Sequence, residues 1–304
     1  EIKKFKDQEG VAELSRDNFR HPFKEHLTVS PLIQMDDKGE EKMGKAANSS
    51  ISLKQIHVTD NFWNKYVHLV KDVIIPYQWD ILNDKLEDVE TSHCIENFKI
   101  AAGEKEGEFQ GAVFQDTDVA KWLEAVGFVL NYERDEKLEE LADETIELIG
   151  RAQQLDGYLN TYFTIKEPDG RWSNLMEGHE LYTAGHMIEA AVAYYEATGK
   201  RRFLEIVSKF ADLVCQTFGP EEGKIHGYPG HQEIELALVK LYRVTREKKY
   251  LDLAKYFIDL RGTGKNYFLE EEKRPGHKRI FPDFVNYDTM YAQAHKPVER
   301  QTKE

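Results

Sequence analysis

The sequence predicts an all-α fold of repeated helical hairpins arranged as an α/α toroid. Beyond about residue 90, apolar residues recur at helical spacing along most of the chain. The pattern also repeats when the chain is shifted by 47 or 65 residues, and the first shift places Val207 and Phe210 on Ala254 and Phe257. Such repeats bury their apolar faces by stacking on one another.

Loop lengths distinguish the two ways in which hairpins stack, the open solenoid and the closed toroid. Long loops rich in glycine and aromatic residues, at 107–115, 156–178 and 219–230, each precede the first helix of a hairpin. Solenoids with a tight repeat length lack such loops, so the sequence favours a toroid. We expect the loops to meet at one end of the bundle and to surround a pocket there.

The first part of the chain differs from the rest. Residues 1–58 form an irregular lead-in, in which 36–41 is predicted as a turn between short strands such as 26–29 and 51–53. The predicted toroid domain occupies residues 59–304.

The toroid domain opens with a helix that Thr59 and Asp60 can cap. Phe62 and Tyr66 lie on one side of this helix, which is expected to end at Ile75, before Pro76. Further along the chain, Trp122, Leu123 and Phe128 are predicted to be core residues.

Composition excludes several functional classes. The net charge of −14 leaves no basic footprint for a nucleic acid, and no run of about 18 apolar residues is present to span a membrane. The two cysteines, Cys94 and Cys215, form no CxxC motif, which argues against a disulfide framework and favours a reducing, cytoplasmic location. The chain begins at Glu1 without a signal-peptide pattern, so we expect either a processed protein or a piece of one.

Histidines and acids at predicted helix starts are the candidate site residues. His179 and His186 are seven residues apart, which is about 10 Å along a helix, too far for both to bind one zinc ion. His179 is therefore either a polar contact to a ligand or a capping or core residue, and His186 is interpreted as structural. Asp116 and Asp118 suit either a ligand or the dipole of the helix that they begin.

Four ordered motifs resemble the N-terminal part of the catalytic domain of glycoside hydrolase family 127, whose type activity is β-L-arabinofuranosidase. The motifs are VIIPYQW at 73–79, VFQDTDV at 113–119 with KWLE at 121–124, AQQLDGYL at 152–159 and FGPEEGKIHG at 218–227. The resemblance implies an (α/α)6 toroid that is incomplete in this chain, because only about eight helices are predicted between residues 59 and 262.

The same resemblance implies a substrate-binding role for five residues. His179 and His231 match sugar-contacting histidines, Phe114 matches the pocket wall, and Gln115 and Asp116 follow from their place in the motif. The family's zinc-bound cysteine nucleophile and its catalytic glutamate match no residue here. We therefore expect no catalytic residue, metal ligand or cofactor in this chain, although the complete family enzyme is expected to hold zinc.

Retaining hydrolysis of terminal L-arabinofuranosyl residues is the function that the resemblance implies, with this chain as the substrate-binding wall. The expected partner is a carbohydrate such as a plant L-arabinofuranoside, and a homodimer is possible. Two alternatives remain open at this point. One is another sugar enzyme on the α/α toroid, either an unsaturated glucuronyl hydrolase or a sugar 2-epimerase, and the other is a helical-repeat scaffold that binds proteins.

Overall fold

The computed structural model describes residues 52–263 and 266–282, together with two short strands in the lead-in. Two compact units divide the chain, 1–51 and 52–304, near the predicted boundary after residue 58. In the first unit β1 (Gln34–Met35) pairs antiparallel with β2 (Glu41–Lys42), and the predicted turn at 36–41 lies outside the described residues except for Glu41. The predicted strand at 26–29 and Ile51 lie outside the described residues, and Leu53 lies in a 3-10 turn rather than a strand.

The described part of the second unit is helical, as predicted. Its helices are α1 (Asn61–Leu69), α2 (Ile75–Leu82), α3 (Cys94–Ala101), α4 (Asp116–Tyr132), α5 (Glu136–Ala152), α6 (Thr161–Ile165), α7 (Glu180–Thr198), α8 (Arg202–Thr217), α9 (Ile234–Thr245), α10 (Lys248–Leu260) and α11 (Tyr267–Glu271). No helix within the described residues is long and apolar enough to cross a membrane.

One long helical segment runs from α1 into α2. Asp60 caps it as predicted, because its carboxylate accepts the backbone N–H groups of Phe62 and Trp63. The expected end before Pro76 is wrong, since a π-helical segment, Val70–Ile74, links α1 to α2. Proline lacks an N–H group and occupies the start of α2, where the wider π turn precedes it.

The described hairpins stack in two rows. Helix α2 packs on α4, α4 on α7, and α7 on α9, which forms the row of first helices. The second helices, α3, α5, α8 and α10, form the other row in the same order. These four hairpins within the described residues account for the eight predicted helices and form an arc of an α/α toroid.

Two glycines let the first helices approach closely. A Cβ atom built on Gly127 of α4 would lie 2.9 Å from the backbone of Ala193 and Tyr194 in α7. One built on Gly185 of α7 would lie 2.9 Å from the backbone nitrogen of Ile234 in α9. The core is continuous along the arc because α7 is buried along most of its length.

The core predictions at α4 are confirmed for two residues of three. Trp122 and Leu123 are buried at 2% and 0% exposure, whereas Phe128 is 46% exposed and the prediction for it is wrong. Phe128 instead lines an apolar groove with Trp63 and Val129. The side of α1 that carries Phe62 and Tyr66 is likewise exposed.

Candidate functional site

The predicted site residues lie at the N-terminal ends of the first helices. Three segments, which we call the mouth loops, lead into α4 (102–115), α7 (153–179) and α9 (218–233). Phe114 precedes α4, His179 is the N-cap residue of α7, and His231 precedes α9. The loops therefore gather at one end of the bundle, as the sequence predicts.

Four rings form a contiguous wall, three from these loops and one from α7. The ring centroid of His179 lies 5.0 Å from that of Phe114 and 5.0 Å from that of His231. Phe114 is 37% exposed, so part of its ring remains open to a ligand. The Tyr182 ring, one turn into α7, lies 5.6 Å from His179 and 5.5 Å from His231. We call Phe114, His179, His231 and Tyr182 the ring wall.

Hydrogen bonding fixes the tautomer of His179. Its Nδ1 lies 2.5 Å from the carbonyl oxygen of Glu177. Since a carbonyl oxygen only accepts, Nδ1 carries the proton and Nε2 remains an acceptor when the ring is neutral. Burial lowers the pKa of His179 to about 4, with the nearby His231 acting in the same direction. At neutral pH the ring wall therefore presents a hydrogen-bond acceptor beside aromatic surface.

The backbone of His179 is in the left-handed region, with φ of 55° and ψ of 17°. This conformation is uncommon for a residue with a side chain. It ends the loop and starts α7 in one residue, and the imidazole makes no capping bond to the helix. The histidine thus occupies a capping position while its ring turns toward its neighbours in the wall.

Gln115 and Asp116 join the site through loop contacts. The Gln115 side chain accepts from Ala112 N at 3.0 Å and donates to Asp118 Oδ2 at 3.2 Å. Asp116 is 2% exposed, and its two oxygens accept from the backbone nitrogen and the hydroxyl of Thr161, at 2.7 and 2.5 Å. Burial raises the pKa of Asp116 to about 6, although the bonds from Thr161 oppose the shift. Gln115 thus fixes its own loop, and Asp116 joins the start of α4 to the loop before α7.

Other buried carboxylates fix the loop before α7 in the same way. Glu180 accepts from Tyr158 Oη at 2.5 Å and from Trp172 N at 2.7 Å. Glu271 accepts from Leu175 N at 2.9 Å. Burial raises the pKa of Glu180 to about 8 and that of Glu271 to about 7. Asp116, Glu180 and Glu271 are called the carboxylate clamps below.

The loop that carries His231 is held by a buried arginine. Arg261, which is 1% exposed, donates from Nη2 to the carbonyl oxygen of Pro229, and its guanidinium lies 4.7 Å from the ring centroid of Tyr228. Glu235 lies 3.8 Å from the same Nη2. Burial, assisted by the charge of Arg261, lowers the pKa of His231. His231 is therefore also neutral at physiological pH.

A second layer below the ring wall was missed by sequence reasoning. His186 Nδ1 lies 3.3 Å from Glu233 Oε1, and the ring of Tyr182 packs edge-on against His186 at 4.5 Å. Burial, with Glu189 and Glu124 nearby, raises the pKa of Glu233 to about 7. The available signal was the position of Glu233 two residues after His231. Neither ring nitrogen of His186 has a hydrogen-bond partner within the described residues, and a structural role for His186 stays a prediction.

The described residues do not fit a catalytic zinc ion. No group of three or more His, Cys, Asp or Glu side chains within 52–263 and 266–282 is arranged to hold a metal. Burial raises the thiol pKa of both Cys94 and Cys215 to about 12, so neither is a thiolate at neutral pH.

The row of hairpins and the loops that meet at its mouth define an α/α-toroid domain. The chain belongs to the β-L-arabinofuranosidase family GH127, whose catalytic domain matches residues 55–304. The family match favours the β-L-arabinofuranosidase interpretation over the two alternatives, which were another sugar enzyme on the α/α toroid and a protein-binding scaffold.

Relatives of known name agree with this assignment. The non-reducing end β-L-arabinofuranosidase of Bifidobacterium longum subsp. longum is 44% identical over 262 residues, which cover 81% of this chain and 40% of the relative. The crystal structure of a GH127 β-L-arabinofuranosidase from Geobacillus stearothermophilus T6 is 59% identical with a TM-score of 0.76, over 81% of this chain and 38% of that one. A second solved GH127 β-arabinofuranosidase is 37% identical with a TM-score of 0.69, over 82% and 36%. The chain thus spans about two fifths of the length of these relatives.

Proposed function

We propose that this chain supplies the substrate-binding wall of a glycoside hydrolase of the β-L-arabinofuranosidase type, which removes terminal L-arabinofuranosyl residues with retention. The ring wall carries this proposal, because it combines an open aromatic face with two neutral imidazoles within 5.0 Å of each other. Sugars present both apolar C–H faces and hydroxyl groups, and this surface complements both.

Each residue of the proposed sugar site has a distinct role. Phe114 stacks on the C–H face of the furanose ring. His179 accepts a hydrogen bond from a sugar hydroxyl group at Nε2, and His231 forms a second hydrogen bond with the sugar. Gln115 and Asp116 act on the sugar through the loops that they fix, since their polar atoms already bond Ala112 and Thr161. A direct sugar contact from either side chain stays a prediction.

Sugar binding is tested with three variants titrated with methyl β-L-arabinofuranoside. A hydrogen bond contributes about 0.5–1.5 kcal/mol net, so His231→Ala and His179→Asn should each weaken binding several-fold, which NMR titration measures. Asparagine is chosen at position 179 because it tolerates the left-handed backbone. His226→Ala is the matched control, since His226 is an exposed histidine of the same loop as His231.

The pH dependence of binding sharpens this test. His179 is neutral above its pKa of about 4, so the ratio of the affinities of the unchanged chain and His179→Asn should stay level from pH 8 to pH 5 and fall as the pH approaches 4. The buried carboxyl groups titrate in both chains and leave this ratio unchanged. Equal losses in His226→Ala and His231→Ala, or a ratio that drops already near pH 6.5, would refute the proposed role of the ring wall.

We also propose that this chain alone holds no zinc and hydrolyses no arabinofuranoside. Thiolate zinc sites need several cysteines at about 2.3 Å from the metal, whereas this chain has two protonated thiols. Elemental analysis and an assay on an aryl β-L-arabinofuranoside check the prediction. One tightly bound zinc per chain, or turnover that disappears on replacing Cys94 or Cys215, would show that the active site has been misplaced.

Location and assembly remain proposals of the same kind. Both cysteines are free in the structure, which favours a reducing, cytoplasmic compartment. The expected partner is an L-arabinofuranoside or a related plant glycan. A homodimer, expected from the open arc of hairpins, is checked by light scattering.

A further inference from the structure

A cavity lies beside the ring wall, between the end of α2 and the first half of α4. Its volume is about 840 Å³, which is within the range of about 300–1,000 Å³ that is usual for small-molecule pockets. Gln115, Asp118 and Lys121 form the polar part of its lining, and Ile81 and Ala125 contribute apolar surface. We call this space the side cavity.

Lys121 joins the side cavity to the ring wall. Its Nζ lies 3.3 Å from the hydroxyl oxygen of Tyr182, a member of the ring wall, and 3.3 Å from Thr117 Oγ1. Gln115, which also lines the side cavity, directly follows Phe114 of the ring wall in the sequence. A ligand unit on the ring wall therefore has the side cavity as its neighbour along α4.

The bonds of Lys121 leave hydrogen-bond donors at this junction. An ammonium group only donates, so Tyr182 Oη accepts from Lys121, and the phenol proton has no acceptor within 52–263 and 266–282. Lys121 carries three donors and directs two of them to Thr117 and Tyr182 in the described part of the chain. The junction thus offers one donor from the phenol and one from the ammonium group.

Asp118 supplies an acceptor beside these donors. Its Oδ2 accepts from Gln115 Nε2 at 3.2 Å, whereas its Oδ1 has no donor among the described residues. Burial raises the pKa of Asp118, and the nearby charge of Lys121 opposes the shift. Because these two charges are opposite, an anionic ligand is repelled by Asp118 and a cationic ligand by Lys121. Hydroxyl groups both donate and accept, so a neutral polyhydroxy ligand bonds both side chains.

Hydrogen bonds behind the surface hold the side cavity open. Gln115 Oε1 accepts from Ala112 N at 3.0 Å, and Gln115 Nε2 donates to Cys94 Sγ at 3.3 Å. The carboxylate of Asp84 accepts from Ser92 N at 2.6 Å and so fixes the segment 90–92, which lines the cavity opposite α4. The site is therefore formed before a ligand arrives, which lowers the entropic cost of binding.

We propose that the side cavity binds the second sugar unit of the substrate, the unit to which the terminal L-arabinofuranosyl residue is attached. Lys121 and Asp118 bond its hydroxyl groups, and Ile81 contacts its C–H surface. The ligand class is a neutral oligosaccharide rather than an isolated monosaccharide. This inference rests on the proposed sugar binding at the ring wall, because it places the terminal unit there.

Two ligands of different length test the assignment. Methyl β-L-arabinofuranoside occupies the ring wall alone, whereas the methyl glycoside of a β-linked L-arabinofuranosyl disaccharide reaches the side cavity as well. NMR titration measures both affinities, and their ratio reports the second unit. The unchanged chain should bind the disaccharide at least about fivefold more tightly, because each added hydrogen bond strengthens binding about two- to tenfold. The amide signals of Asp118 and Lys121 should shift further with the disaccharide.

Three variants locate the second unit. Lys121→Met and Asp118→Ala should each bring the ratio of affinities close to one, because each removes a polar partner of the second unit. Lys137→Met, at an exposed lysine of α5, is the matched control and should keep the ratio of the unchanged chain. Circular dichroism and the melting temperature show that each variant folds.

The outcomes separate this inference from the proposed function. A ratio near one in the unchanged chain, together with clear binding of methyl β-L-arabinofuranoside, overturns the role of the side cavity and leaves the ring wall intact. A high ratio that Lys121→Met and Asp118→Ala both retain places the second unit elsewhere and overturns it as well. If neither ligand binds the unchanged chain, the proposed sugar binding is wrong, and this inference is wrong with it.

Discussion

The ring wall and the outward side of the segment from α1 to α2 are both rich in aromatic residues, yet they are built in opposite ways. We call the exposed residues of that side, Phe62, Tyr66, Leu69, Val73 and Tyr77, the apolar stripe. At the ring wall, buried carboxylates accept hydrogen bonds from backbone N–H and hydroxyl groups and hold the loop before α7 in one place, as Asp116 does with Thr161. The stripe has exposed side chains on a continuous helix and no such bonds. A preorganised polar surface suits a small ligand, whereas an exposed apolar row has no polar groups that would orient one.

The largest effect is expected where the stripe helix meets the core. Trp122→Ala removes a buried ring that stacks on Trp79 and donates to Ile75 O. Large-to-small changes of this kind cost about 3–5 kcal/mol. Urea denaturation should show this loss, and Trp122→Phe should lose less because most of the ring remains. A soluble, fully helical alanine variant of unchanged stability would contradict the placement of α4.

Next in size is the loss of a carboxylate clamp. Glu180→Gln leaves one of two buried donors, Tyr158 Oη or Trp172 N, without an acceptor. An unsatisfied buried donor costs about 1–3 kcal/mol. Thermal unfolding at pH 8 should detect the loss, and sugar affinity should fall with it because the loop before His179 loosens. Unchanged stability would mean that the clamps do not order the mouth.

The pH dependence of stability separates the clamps from the histidines. Glu180 has a folded pKa of about 8 against an ordinary value of 4.5. Between these values the folded state holds a proton that the unfolded state has released, so the free energy of unfolding falls as the pH rises toward 8. The lowered pKa of His179 acts in the opposite sense, but only below its ordinary value of 6.5.

The window from pH 6.5 to 8 therefore reports the carboxyl groups. The unchanged chain should lose stability across it, and Glu180→Gln should lose less, with Glu271 and Glu233 supplying the remainder through their pKa values of about 7. Denaturation at both pH values measures the two slopes. If the unfolding free energy of both chains fell equally with pH, the group that holds the proton would not be Glu180.

The smallest effect is expected on the stripe. Tyr66→Glu replaces a side chain that is 43% exposed, and surface changes usually alter stability by less than about 0.5 kcal/mol. The unfolding free energy of the isolated chain should hardly change. A loss above about 1 kcal/mol would show that the stripe is already covered within this chain, which would end the contrast between the two regions.

Local rules predicted much of this structure. Helical spacing gave the hairpins, the cap at Asp60 is present, and the long loops that precede α4, α7 and α9 do meet. The meeting of Phe114, His179 and His231 followed from equivalent positions in repeated hairpins and needed no detailed geometry.

What sequence could not supply is the identity of the neighbour on each side of a helix. Phe128 and the stripe have the spacing of core residues, but spacing alone does not say whether the packing partner is present. Asp116 looked like a ligand contact, and only three-dimensional structure shows Thr161, 45 residues away, on both of its oxygens. The pair of His186 and Glu233 joins two helices and has no local pattern.

The close approach at Gly185 sets the distance between α7 and α9, and with it the width of the mouth between His179 and His231. The absence of a side chain lets the start of α9 rest against α7, and this contact lies between the two helices that present His179 and His231. In Gly185→Ala the added methyl group would meet the Ile234 backbone at 2.9 Å, so α9 would have to tilt outward. The separation of the His179 and His231 rings would then change with the position of α9.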